Sequence, residues 1–178
     1  MTPEGYTEMK VHRLVLDPNT NSPIVILQAE DSGVMLPIWI GIFEAHAIAM
    51  KLEGIDPPRP MTHDLLRDAI GALHGSVERV EVVDLVDNTY FARVCIQVHD
   101  QHVAVDSRPS DAIALALRLT SPIFVANHVL DKSRIDPALE AGTPETAMDG
   151  APEEEAEEDQ WTRILKGFNP PGGSDKIN

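Results

Sequence analysis

With 178 residues, 43% of them hydrophobic and only 4% aromatic, the chain is long enough for one sizeable core, built from Val, Ile, Leu and Ala with few rings. Lys and Arg number 14 against 29 Asp and Glu, a net of −15 with no basic block, which excludes tight non-specific nucleic-acid binding but not local contact with phosphates. Cys95 is the single cysteine, so an intramolecular disulfide and a thiolate metal cluster are excluded; no run approaches the ~18 apolar residues of a membrane span, and a soluble, cytoplasmic protein is expected.

The segments MKVHRLVLD, PIVILQAE and VMLPIWI are rich in β-branched residues and are separated by turn clusters at 18–22 and 31–33. They read as three strands, the first two antiparallel neighbours. In IFEAHAIAMKLE the residues Ala45, Ile48, Ala49 and Leu52 fall at i, i+3, i+4 and i+7, and Gly54 follows where a C-terminal cap belongs. A second helix is predicted in THDLLRDAIGALHG, with Leu66, Ala69, Ile70 and Leu73 as its buried stripe and Gly75 as its end. VERVEVVDLV and TYFARVCIQVH flank Asp87-Asn88 and form a half-buried hairpin. The short strand HVAVD, the helix DAIALALRLT and the last strand PIFVAN follow. The helix from Asp111 is apolar almost all round, so it is either sandwiched in the core or buried against another subunit.

From Leu139 the text changes. Residues 140–178 hold 10 acids and 3 bases, and six of the seven residues over 153–159 are acidic. Residues 1–138 are therefore expected to form the domain, 139–160 a self-repelling disordered linker, and 161–178, with WTRILKGF, a short segment that docks as a helix or frays.

One pattern recurs. RPMTHDLLRDAI begins at Arg59 and RPSDAIALALRL at Arg108: Arg-Pro, a hydroxyl residue and an aspartate, each leading into a helix. Thr62 and Ser110 stand where an N-cap would accept a first-turn amide, and Asp64 and Asp111 suit the positive end of the dipole. That accounts for the proline, the hydroxyl and the acid, but not for the arginines. A guanidinium beside free helix N-terminal amides makes an anion site; alternatively Arg59 and Arg108 pair with Asp56 and Asp106. Asp106, Asp111, Asp64 and Glu44, with Glu53, are hard oxygen donors that suit Mg²⁺ or Mn²⁺ sharing its sphere with phosphate. Hydrolysis of a phosphodiester is the chemistry this permits, with His63 or His46 in proton transfer.

The chain carries no phosphate-cradling GxxxxGKS or GxxxxGKT loop, no GxGxxG after a strand, no HExxH and no GxSxG, so no organic cofactor is expected. His99 and His102 flank a turn without a third zinc ligand, and Cys95 reads as a small buried residue.

LPIWIGIFEAHAIAMKLEGIDPPRPMTHDLL together with VDSRPSDAIALALRLTSPIFV resembles the bifunctional nuclease family over about Met9 to Leu130. The family's signature falls on Pro37, Ile38, Gly41, Glu44, Ala45, Ile48, Arg59, Pro60, Thr62, His63 and Asp64, and on Arg108, Pro109, Ser110, Asp111 and Ala112, with Ser107 where the family usually has alanine. The resemblance implies a single α+β domain, a mixed, mostly antiparallel sheet with packed helices, that forms a homo-oligomer and cleaves RNA and DNA. On that basis Arg59, Arg108, Thr62 and Ser110 would hold substrate phosphate. Asp64, Asp111, Asp106 and Glu44 would bind metal, and His63, Asp64, Asp111 and Glu44 would be catalytic on a weakly bound nucleic acid. Two alternatives stand beside it: a non-catalytic oligomeric regulatory module braced by the Arg-Pro turns, and a binder of a small phosphorylated ligand.

Overall fold

Runs rich in apolar and β-branched residues make β1 (Tyr6–Leu16), β2 (Pro23–Gln28) and β3 (Met35–Trp39) a three-stranded antiparallel meander, with β2 buried on both faces. In this computed structural model residues 2–134 are described; the linker expected over 139–160 and the segment over 161–178 lie outside the described residues. Among the described residues the elements continue as α1 (Ile42–Leu52), α2 (Thr62–Ala72), β4 (Gly75–Val86), β5 (Thr89–Val98), β6 (Gln101–Ser107), α3 (Pro109–Leu119), β7 (Ile123–Ala126) and α4 (Asn127–Arg134). The architecture is one α+β domain, as expected.

Among the described residues seven strands form one sheet in the order β3-β2-β1-β7-β4-β5-β6. β1 joins its two parts: residues 6–9 pair with β7 and residues 10–16 with β2, across a bulge between Val11 and Arg13. Every pairing is antiparallel except β4 with β7, which completes a mixed sheet. Asp87 and Asn88, at φ 48° and 58°, close the β4–β5 hairpin in the left-handed conformation that a two-residue loop of matching twist demands.

α3 lies in the middle. Ala112, Ile113, Ala114, Leu115 and Ala116 are buried, and the helix packs on α1 and α2 as well as on β4 and β5. Its nearly continuous apolar surface is thus satisfied within the domain, which settles in favour of the core the choice that the sequence leaves open. α1 buries Ala45, Ala47, Ile48 and Ala49, while Leu52 is exposed.

α2 departs from expectation. Of its residues only His63 is buried, and Leu66 and Leu73 of the predicted stripe are 43% and 72% exposed. The helix is held through polar contacts of its first turn and through Ile70, the one residue of the predicted stripe packed against the core. Its end also differs: His74 takes the left-handed conformation (φ 58°), and Gly75 opens β4 where a Cβ would press within 3.3 Å of both Ile70 and Ile96. α4 has no counterpart among the predicted elements; it starts where the last strand was expected to stop, and it buries Val129 and Leu130. Glu81, on β4, is buried between Arg79 and Arg93; burial would raise its carboxyl, but the two guanidiniums outweigh that and hold it low.

Candidate functional site

The hydroxyls do not cap the helices. In α2 the N-cap is Met61 and Thr62 is already the first helical residue; in α3 the N-cap is Arg108 and Pro109 is the first. The two Arg-Pro turns are therefore out of step by two residues, since Pro60 precedes a cap and Pro109 follows one. What they share is the aspartate at the third helical position, Asp64 and Asp111. Asp64 uses it as a cap: the Met61 amide donates to Asp64 Oδ2 at 3.0 Å. Asp111 does not, and no side chain caps α3.

The helices meet through these first turns. His63 Nε2 lies 3.0 Å from Asp111 Oδ1, Arg108 Nε donates to Asp111 Oδ2 at 2.8 Å, and Arg108 Nη2 donates to Glu44 Oε1 at 2.7 Å. Three elements thus supply one continuous chain of polar side chains, His63 from α2, Asp111 and Arg108 from α3, and Glu44 from the first turn of α1. Gly41, the N-cap of α1, leaves room for it, because a Cβ there would collide with the Glu44 carboxylate.

Burial raises the Asp111 carboxyl, but the bonds from Arg108 and His63 outweigh burial and hold it below the ordinary value. An ionised Asp111 can only accept, so the His63 hydrogen sits on Nε2. Nδ1 makes no hydrogen bond with the described residues, and in the neutral ring it is the acceptor. Arg108 is pushed up by Asp111 and Glu44 and stays charged. Its side chain is 65% exposed, and two of its five N–H groups serve the carboxylates, so three remain.

Arg108 stands between two clefts. The first, about 520 Å³, is lined by Thr62, His63, Asp106, Ser107, Arg108 and Asp111 on its polar side and by Leu66, Ile70, Val94, Ile96, Val105 and Leu115 on its apolar side. The second, about 400 Å³, lies on the other flank and includes Trp39, Tyr90, Arg108 and Ser110. Ser110 is 5% exposed and its hydroxyl makes no hydrogen bond with the described residues.

The remaining expected residues are elsewhere. Asp64 faces Arg118, whose Nε donates to Asp64 Oδ1 at 2.7 Å while Nη1 donates to the Ala114 carbonyl. Burial raises the Asp64 carboxyl, but the Met61 amide and Arg118 outweigh it, and the carboxyl is held low. Arg59 is exposed, has no ion pair or hydrogen bond among the described residues, so it is not paired with Asp56, and it lines neither cleft. Glu53 is at the far end of α1 from Glu44, and Glu53 and His46 line neither cleft. Arg108 pairs with Asp111 and Glu44, not with Asp106, which is exposed on β6.

These positions bear on a cation. Glu44 and Asp111 are committed to Arg108, Asp64 to Arg118, and among the described residues no three His, Cys, Asp or Glu side chains are grouped so as to hold a metal. The carboxylates as arranged do not fit a formed Mg²⁺ or Mn²⁺ site. Arg118 and Trp39 belong to the surroundings of the site and were not singled out by motif. The signal for Arg118 was its isolation as the one cation on an otherwise apolar helix, and the signal for Trp39 was an aromatic ring in a chain poor in them.

Comparison with known proteins agrees with this frame. An uncharacterized protein of Mycobacterium tuberculosis is 42% identical over 123 residues, 69% of this chain and 73% of that protein. Bifunctional nuclease 1 and bifunctional nuclease 2 of Arabidopsis thaliana are 28% and 29% identical, over 72% and 61% of this chain but only 41% and 34% of their own lengths. No helix among the described residues is long and apolar enough to cross a membrane. Residues 25–138, most of the described fold, match the bifunctional nuclease domain, and the chain belongs to that family.

Proposed function

We propose that this protein is a nuclease that hydrolyses phosphodiester bonds of RNA, DNA or both, with the phosphate held at the N-terminus of α3. The observation that carries this reading is the chain His63, Asp111, Arg108, Glu44, whose first three members line the first cleft, beside a helix end without a side-chain cap among the described residues. Three free guanidinium N–H groups, the first-turn amides and the Ser110 hydroxyl supply donors to an oxyanion. His63, oriented by Asp111, presents Nδ1 to take the proton of an attacking water or hydroxyl as it adds to phosphorus; the departing oxygen takes its proton from solvent. The histidine and its orienting carboxylate divide the labour as in other base-assisted hydrolyses.

Two carboxylates flank the one arginine, so the site is net acidic and the substrate is held weakly, with affinity that falls as salt rises. Dependence on Mg²⁺ or Mn²⁺ is a separate proposal, in which Asp111 would have to give up its bond to Arg108 to join Asp106 of the same cleft as a donor, and no step above runs through it. A cytoplasmic site of action belongs to the same reading, supported by a buried, unpaired Cys95. So does a homo-oligomer, supported by the apolar residues that α2 leaves exposed, Leu65 at 64% and Leu73 at 72%.

The test is cleavage of labelled single-stranded RNA and DNA at low salt with Mg²⁺, with Mn²⁺ and with chelator, by the wild type and by folded His63→Ala and Arg108→Ala variants. Cleavage that both variants abolish is the expected result. Cleavage equal in all three proteins, or absent from the wild type, overturns the assignment and leaves a regulatory module or a small phosphorylated ligand as the function.

A further inference from the structure

On the flank of Arg108 away from His63, the second cleft gathers groups that the hydrolytic chain does not use. Trp39, at the end of β3, is 40% exposed in a chain with few aromatic rings. Its Nε1 donates to Asp17 Oδ2 at 3.3 Å, and Asp17 Oδ1 in turn accepts the Asn19 and Thr20 amides, so the nitrogen edge of the indole is tied to the β1–β2 turn. With its single donor spent, what the indole offers the cleft is carbon surface and a π face. The Tyr90 hydroxyl is likewise turned away, toward the Pro37 carbonyl at 3.4 Å.

Opposite in character are Asn88 and Ser110. Asn88 is held at φ 58° in the hairpin loop, exposed, and its carboxamide makes no hydrogen bond with the described residues. Ser110 is buried at the first turn of α3 with its hydroxyl unbonded, and Arg108 closes the cleft with its free N–H groups. A flat apolar ring, a carboxamide that both donates and accepts, and a cation beside an uncapped helix end match the three parts of one nucleotide: base face, base edge and phosphate. At about 400 Å³ the cleft is within the ~300–1,000 Å³ of sites that enclose a small ligand.

We infer that this second cleft is a nucleobase subsite, in which an unpaired base stacks on Trp39 and meets Asn88 while its phosphate lies on Arg108 and Ser110. The subsite rests on the nuclease reading for its substrate class, and it defines that class further: single-stranded segments, whose bases are free to leave the stack, and not duplex. Recognition by a π face tolerates every base, so sequence preference is weak.

The experiment uses the full chain in chelator and low salt, with binding read by fluorescence anisotropy of a labelled short oligoadenylate and of an abasic oligomer with the same number of phosphates. The oligoadenylate should bind roughly tenfold or more tighter than the abasic strand, the factor that one base on an aromatic ring supplies. Trp39→Ala should remove that difference without changing abasic binding, Trp39→Phe should restore most of it, and the adenylate should quench wild-type but not Trp39→Phe tryptophan emission. Equal binding of the two strands overturns the subsite, and so does a Trp39→Ala variant that weakens both alike, because the ring then serves only the fold. Cleavage is scored separately. Base-dependent binding without cleavage keeps the subsite and refutes the nuclease; cleavage with base-independent binding does the reverse.

Discussion

Replacing Arg118 by methionine tests whether Asp64 belongs to the fold. The Arg118 side chain is 4% exposed and that of Asp64 15%, and their 2.7 Å bond ties the C-terminal half of α3 to the first turn of α2. Methionine keeps most of the aliphatic stem but removes the charge, so Asp64 stays partly buried with only the Met61 amide to bond it. Removing one partner of a buried pair costs about 3–5 kcal/mol, most of it the penalty of the charge left behind. For a domain of this size each kcal/mol moves the melting temperature by roughly 3–5 °C, so a drop of about 10–20 °C is expected. The double variant Asp64→Asn/Arg118→Met has no stranded charge and should recover about 1–3 kcal/mol of that loss. Denaturant and thermal unfolding of the wild type, both single variants and the double variant supply the cycle. A cost below about 1 kcal/mol for Arg118→Met, or strict additivity in the double variant, would refute the reasoning. If Asp64 serves the fold alone, the folded double variant also cleaves RNA as the wild type does.

Arg108→Ala should lower the melting temperature less than Arg118→Met does, because Arg108 is 65% exposed and its removal lets water reach Glu44 and Asp111, while cleavage disappears; a loss of stability in calorimetry as large as that of Arg118→Met would make Arg108 a brace instead. Gly41→Ala should fold normally, since the Glu44 carboxylate can swing aside, yet lower cleavage by loosening Arg108; unchanged cleavage would show that Glu44 is not needed to aim it. Asp64 and Asp111 are both held below the ordinary aspartate value of 3.8, so their stabilisation is complete above about that pH and is lost as the pH falls below it through the folded values. Acid unfolding followed by circular dichroism should therefore be shallower in Asp64→Asn than in the wild type, and superimposable acid limbs would count against the pairing. Leu65→Glu/Leu73→Glu should leave the fold intact and reduce the particle mass in light scattering if α2 forms the contact between copies; an unchanged mass moves that contact elsewhere.

Much of the sheet was legible because its signals are local. The Asp87-Asn88 loop dictates its own backbone, and the strands on either side alternate, so β4 and β5 follow from a few residues. α3 was legible as a helix for the same reason. What local signals do not carry is the partner of each face. The stripe Leu66, Ala69, Ile70, Leu73 has helical spacing whether or not anything covers it, and here most of it faces solvent and the rim of a cleft. α4 was missed because its sequence, NHVLDKSR, is mostly polar and helical only by virtue of the Val129 and Leu130 anchors and the Lys132 bond to Asp84 and Leu85.

The repeated Arg-Pro motif shows the same limit at the level of the site. Read as text, the two copies are equivalent, and equivalence argues for two arginines and two aspartates sharing one ligand. Two extra residues between proline and aspartate in the first copy break that equivalence. They move Pro60 outside α2, put His63 at the position that Ser110 occupies in α3, and send the two third-position aspartates to different partners, one to a buried arginine and one to a histidine and Arg108. Arg59 is then left in the loop before α2 without a partner among the described residues, while Arg108 is clamped by two carboxylates. The two copies are thus used differently, Asp64 of the first bracing α2 on α3 and Asp111 of the second meeting Arg108, and they are joined at the His63–Asp111 contact. The site consequently presents a single committed guanidinium instead of a paired clamp, so on the proposed reading the phosphate contact alone would hold a nucleotide weakly and the base contact inferred at Trp39 would supply the rest.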